Sequence, residues 1–117
     1  MAPRRLQDWS FAGASGGIVS STADVAMKTA EPNFRNYIQS IQIAHDTLGA
    51  VTEIHIKDGS TIIWRGKLQT PAIEAGSGAP IEFNPPLRGS ANTALNVALS
   101  VSTTGGVFVN AQGFVGP

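Results

Sequence analysis

The stretch Val51-Thr52-Glu53-Ile54-His55-Ile56-Lys57-Asp58-Gly59-Ser60-Thr61-Ile62-Ile63-Trp64-Arg65-Gly66-Lys67-Leu68 decides the fold class. Successive side chains of an extended chain point to opposite faces, so Ile54 and Ile56 share one face and Glu53, His55 and Lys57 the other. Asp58-Gly59-Ser60 then supplies a turn, because glycine takes positive φ at little steric cost. On the return run Ile62, Trp64 and Leu68 alternate with Thr61, Arg65 and Lys67. Two alternating runs around such a turn predict a β-hairpin.

Outward from this hairpin the same period recurs. Leu95, Val97, Leu99 and Val101 alternate with Ala94, Asn96, Ala98 and Ser100. Beyond Thr103-Thr104-Gly105-Gly106, the residues Val107, Val109 and Ala111 alternate with Phe108, Asn110 and Gln112, which predicts a second hairpin. Ile81-Glu82-Phe83 is a shorter run. Pro85-Pro86 must end it or hold it at a sheet edge, since proline donates no ladder hydrogen bond. Residues 9–12 and 25–30 read as weaker strands. Residues 34–46 are ambiguous: Phe34, Ile38, Ile41, His45 and Leu48 recur at helical spacing, and Asn33 after Pro32 suits a helix cap. The strand reading puts Tyr37, Ile41 and Ile43 on one face, with Gln39 breaking the alternation. Short gaps on either side and all-β surroundings favour the strand.

About eight strands spaced roughly 8–12 residues apart predict an all-β, antiparallel β-sandwich, jelly-roll-like. Strand count alone does not separate this from an immunoglobulin-like sandwich. Residues 18–117 are expected to form a single domain, and residues 1–17 an N-terminal arm or irregular segment.

Composition bounds the function. The 117 residues carry eight basic and eight acidic side chains, a net charge of zero, and 42% are apolar. That is enough apolar material for one core, with no basic excess to neutralise a phosphate backbone, so nucleic-acid binding is not expected. Charged residues make up 14%, against about 25% in a typical soluble domain. A surface of that kind is poorly protected against association, which points to partners. The absence of cysteine excludes disulfides, zinc–thiolate sites and thiol nucleophiles. Arg4 and Arg5 are followed by no apolar run of signal-peptide length, and no stretch approaches the roughly 20 apolar residues of a membrane span; neither a leader nor a membrane partner is expected.

Chemical motifs are weak. Gly13-Ala14-Ser15-Gly16-Gly17-Ile18 has the look of a dinucleotide-binding turn but lacks the buried strand before it and the helix after it. His45-Asp46, or His55 with Glu53 or Asp58, offers no third metal ligand at a fixed spacing, and both histidines are expected to face solvent. Among ten serines none sits in a nucleophile elbow; Glu74-Ala75-Gly76-Ser77-Gly78 comes nearest, in a loop beside prolines. Glu53, Glu74 and Glu82 give no sequence evidence of the paired spacing that glycoside hydrolysis needs. No catalytic, cofactor-binding or metal residue is therefore assigned, and the protein is not expected to be an enzyme. Trp64 reads as core, with an exposed sugar-binding aromatic, Trp64 or Tyr37, as the sharper alternative.

Four stretches carry a resemblance. They are Phe34-Arg35-Asn36-Tyr37-Ile38-Gln39-Ser40-Ile41-Gln42-Ile43, then Ile56-Lys57-Asp58-Gly59-Ser60-Thr61-Ile62-Ile63-Trp64-Arg65-Gly66, then Pro86-Leu87-Arg88-Gly89-Ser90-Ala91-Asn92-Thr93-Ala94-Leu95-Asn96-Val97, and last Val107-Phe108-Val109-Asn110-Ala111-Gln112-Gly113-Phe114. Together, over about residues 20–116, they resemble small β-sandwich virion proteins of tailed bacteriophages and prophages. The resemblance implies a capsid decoration or cement protein, made in the host cytoplasm, that binds the head surface as a homotrimer and contacts the major capsid protein. A tail, baseplate or fibre component, or a carbohydrate- or receptor-binding module, is the alternative on the same scaffold. Arg4, Arg5, Trp9 and Phe11 in the arm, and Pro86, Leu87 and Arg88 in a contact loop, are the candidate interface residues. Residues 70–80 form a second candidate loop.

Overall fold

The computed structural model describes residues 5–12, 18–68 and 80–117. The described residues form nine strands and no helix: β1 (Gln7–Phe11), β2 (Ile18–Val19), β3 (Val25–Lys28), β4 (Arg35–His45), β5 (Thr52–Asp58), β6 (Thr61–Leu68), β7 (Ile81–Ala91), β8 (Leu95–Leu99) and β9 (Val107–Gly116). They build two antiparallel sheets. One has the order β1-β9-β4-β7 with β2 also on β9; the other has the order β3-β8-β5-β6. β1 and β2 pair with successive parts of β9, Gln7 opposite Val115 and Ile18 opposite Phe108, so they share one edge position. Eight strand positions in two four-wide sheets give the jelly-roll arrangement.

Apolar faces explain the packing. Ile38 and Ile41 of β4, Ile54 and Ile56 of β5, Leu95, Val97 and Leu99 of β8, and Val107 and Val109 of β9 are almost wholly buried between the sheets. Each such side chain contributes about 1.5–3 kcal/mol relative to an exposed one.

The β5–β6 hairpin forms as predicted, with Gly59 at φ +62°. One bulge changes its faces. Ile56 lies opposite Trp64 but Lys57 lies opposite Ile62, so Ile63 is the extra residue. Ile63 packs on the core, and Ile62 is exposed rather than inward. A second bulge settles the ambiguous segment, which is a strand. Ile38 pairs with Gly113 and Ser40 with Gln112, leaving Gln39 unmatched. Asn36 and Ile38 face inward before the bulge; Ile41, Ile43 and His45 do so after it. That one-residue step turned a two-residue period into an apparent helical one, and it puts Tyr37 on the outer face instead of with Ile41 and Ile43.

The second expected hairpin does not exist. β8 belongs to the four-stranded sheet and β9 to the five-stranded one, and residues 100–106 cross between them. Residues 46–51 cross in the opposite direction from β4 to β5, and the two crossings are bonded: Thr104 N donates to Leu48 O at 3.0 Å and Asp46 N to Gly106 O at 3.0 Å. Gly105 lies against the carbonyl oxygen of Thr47, where a Cβ would not fit. Val101 is outside β8 and exposed; Thr52 Oγ1 donates to its carbonyl at 2.9 Å.

β7 runs through Pro85-Pro86 as an edge strand, the second of the two expected outcomes. Its pairing to β4 jumps from Leu87 opposite Ile38 to Glu82 opposite Ser40, so residues 83–86 loop away from the ladder. Within the expected arm 1–17, Gln7–Phe11 is ordered into the sheet as β1, because Trp9 and Phe11 have core to pack against.

Candidate functional site

The expected interface residues fall at two places. Arg4 lies outside the described residues, as do residues 70–79 of the second candidate loop. Arg5 stands over the Phe114 ring, 4.8 Å from its centroid, and pairs weakly with Asp8 at 3.5 Å. Phe114 in turn stacks on Tyr37, centroids 4.7 Å apart and planes 8° from parallel. Trp9 turns inward over Gly113, and a Cβ there would lie 2.5 Å from its Cζ2. Phe11 packs beside it on the core. These residues mark the β1 edge of the five-stranded sheet. Pro86, Leu87 and Arg88 lie on β7 at the opposite edge: Leu87 packs on the core, Pro86 is half-buried, and Arg88 is exposed. Arg88 is paired opposite Tyr37 in the ladder, and among the described residues no hydrogen bond or ion pair holds its guanidinium. The fold therefore separates the two candidate groups instead of bringing them together.

The aromatic side chains proposed for sugar stacking are occupied. Tyr37 is 3% exposed, with Phe114 on its ring and its hydroxyl donating to the carbonyl of Pro117. Trp64 is half-buried, lying over Gly66 and edge-on to Phe83 at 5.8 Å. This contact joins β6 of one sheet to β7 of the other and closes that side of the sandwich.

Both histidines are buried, contrary to expectation. His45 Nδ1 donates to the Asp46 carbonyl at 2.8 Å, leaving a buried Nε2 with no partner among the described residues. His55 lies on the outer side of the four-stranded sheet, where its Nε2 meets Glu53 Oε1 at 3.1 Å. The same oxygen accepts Arg65 Nε at 2.9 Å and Nη2 at 2.7 Å. The hydrogen bonds from His55 and then Arg65 hold the Glu53 carboxyl below its ordinary range. Lys57 with Asp24 at 2.9 Å and Lys28 with Glu31 at 2.9 Å extend the charged pattern of this sheet. No cluster of three or more His, Cys, Asp or Glu side chains fit for a metal occurs among the described residues.

The outer side of the five-stranded sheet is different. Because Trp9, Phe11, Ile41, Ile43, Val109 and Ala111 point inward, Ser10, Ser40, Gln42, Asn110 and Gln112 point outward. Two hollows of about 360 and 430 Å³ lie there, and they share Ser10 and Gln112, which makes them one trough across the strands. The sequence signal for it, the polar half of three alternating strands, was present, but the register that aligns those halves was not.

The chain matches no family model, no curated protein and no solved structure.

Proposed function

We propose that this chain is a structural protein of a tailed-phage particle: a decoration or cement subunit that binds the head surface as a homotrimer and works without catalytic, cofactor or metal chemistry. The observation that carries the reading is the strand order β1-β9-β4-β7 over β3-β8-β5-β6, a double-sheet jelly roll of the kind common in capsid domains. The disposition of the candidate contacts supports it. Arg5, Trp9 and Phe11 on one edge and Pro86, Leu87 and Arg88 on the opposite edge are two different patches, as a head-to-tail ring requires. A ring of three bound across neighbouring capsomers stabilises the assembled shell by mass action.

Analytical ultracentrifugation over a wide concentration range tests the proposal. A stable species of three chains is the expected result, followed by immunogold labelling over the heads of intact particles. A monomer at every concentration overturns the trimeric cement model, and label on tails or fibres moves the subunit to that part of the virion.

A further inference from the structure

The trough on the outer side of the five-stranded sheet has neutral polar side chains along its middle, bordered by Phe11, Ile41 and Ala111 and, toward its ends, by Arg5, Asp8 and Glu82. Ser10, Gln112, Ser40 and Glu82 stand directly opposite one another on β1, β9, β4 and β7, a row of four strands spanning about 14 Å at ordinary strand spacing. The hydroxyls of Ser10 and Ser40 are short and keep the floor low, while the longer amides of Gln112 and Asn110 rise beside them. The Gln39 bulge and the excursion of residues 83–86 fall at this row, and bulges bend and twist a sheet where they occur. Arg5 and Asp8 line the end near β1.

Every serine hydroxyl and every amide both donates and accepts hydrogen bonds. A lining of such groups matches a ligand whose own groups do the same at close intervals, which is the chemistry of a polyol. The charges at the trough argue in the same direction. Asp8 stands at one end, paired with Arg5 at 3.5 Å, and Glu82 at the other, so the trough offers no excess of positive charge to a polyanion. The other sheet keeps its outer surface charged, with Glu53, Arg65, Lys57 and Asp24 paired there. We infer that the trough over β1, β9, β4 and β7 is a binding site for a neutral oligosaccharide, with Gln112 and Ser40 at its centre. This site is distinct from the aromatic positions Trp64 and Tyr37.

Affinity electrophoresis tests it, with the full chain run in native gels that each contain one polymer: soluble starch, dextran, a mixed-linkage β-glucan, galactomannan, alginate or gelatin. The expected result is retardation in at least one of the four neutral polysaccharides and none in alginate or gelatin. Gln112→Ala removes a central amide, and Ser40→Tyr fills the floor from an outward-facing position that leaves the core intact. Each weakens retardation about tenfold, whereas Lys67→Ala on the other sheet leaves it unchanged. Free migration in all four neutral gels, retention in alginate or gelatin, or retardation that neither trough variant alters overturns the inference.

Discussion

Asp58, at the end of β5, holds Ser90 of β7 with both carboxylate oxygens: Oδ1 accepts the Ser90 amide at 2.9 Å and Oδ2 its hydroxyl at 2.6 Å. The two strands belong to different sheets, so this pair ties the sandwich together beside the β5–β6 turn. Gly89 allows the approach, since a Cβ there would lie 2.9 Å from the Asn36 carbonyl oxygen and 3.4 Å from Asp58 Oδ1. Removing the carboxylate in Asp58→Ala leaves the Ser90 amide without its charged acceptor. A loss of about 1–2 kcal/mol in urea unfolding is expected; a midpoint unchanged from the parent chain would show that the tie contributes nothing.

Trp9 and Gly113 give a sharper prediction. A methyl group at Gly113 would press on the Tyr37 carbonyl oxygen and on the Trp9 indole at once. The Tyr37 carbonyl cannot yield, because it is backbone in the middle of the sheet, so the half-buried Trp9 ring on the edge strand is the group that must move, at the expense of its packing on the core. Gly113→Ala should cost about 3 kcal/mol, at the upper end for an overpacked site. Tryptophan emission should shift to the red as Trp9 is displaced toward water. Parent-like stability and emission in this variant would refute the close packing described here.

Trp64 and Phe83 close one side of the sandwich by an edge-to-face contact. A double-mutant cycle with Trp64→Ala and Phe83→Ala should return a coupling of about 0.5–1.5 kcal/mol, beyond the separate loss of buried area. Strict additivity of the two changes would mean that the rings stabilise their own sheets and not the join between them.

Glu53 makes stability depend on pH in a direction that can be assigned. Hydrogen bonds from His55 and Arg65 lower its folded pKa below the unfolded value. Its contribution is therefore full above the unfolded pKa and is lost as pH falls through the folded one. The stability difference between the parent chain and Glu53→Gln should be constant from about pH 7 to pH 5 and narrow steadily below that. A difference that grows on acidification would contradict the assignment.

Much of the sandwich was legible in the sequence because its strands alternate cleanly where they are undisturbed, as in Ile54 and Ile56 or Val107 and Val109. The errors occurred where one residue is added or where direction is set at a distance. The bulge at Gln39 gave a strand some of the spacing of a helix and, though the segment still reads as a strand, moved Tyr37 off the face of Ile41 and Ile43; the bulge at Ile63 exchanged the inner and outer isoleucines of β6. Gly105-Gly106 marks a change of direction equally well in a hairpin and in a crossing between sheets. Only the bonds from Thr104 to Leu48 and from Asp46 to Gly106 distinguish the two. The candidate interface residues were readable as types, but their separation onto opposite edges follows from β9 and β4 lying between β1 and β7, a long-range order that no local pattern carries. His55 looked like a solvent-facing residue because the groups that cover it, Glu53 and Arg65, are brought together by the hairpin itself.

The central place of β9 has a consequence for synthesis. All four strands of one sheet, β3, β8, β5 and β6, precede residue 100, whereas the other sheet has a gap between β1 and β4 until residues 107–116 are present. A chain that emerges from the ribosome at about 5–20 residues per second therefore acquires one complete sheet while one hydrogen-bonding edge of β4 still lacks its neighbour. Insertion of β9, with ten residues bonded on one side to β1 and β2 and on the other to β4, is the step that joins the early and late parts of the chain. Pairings of such long sequence separation are the slow ones in folding, so the nascent protein stays open, and open to aggregation, until its ninth strand arrives.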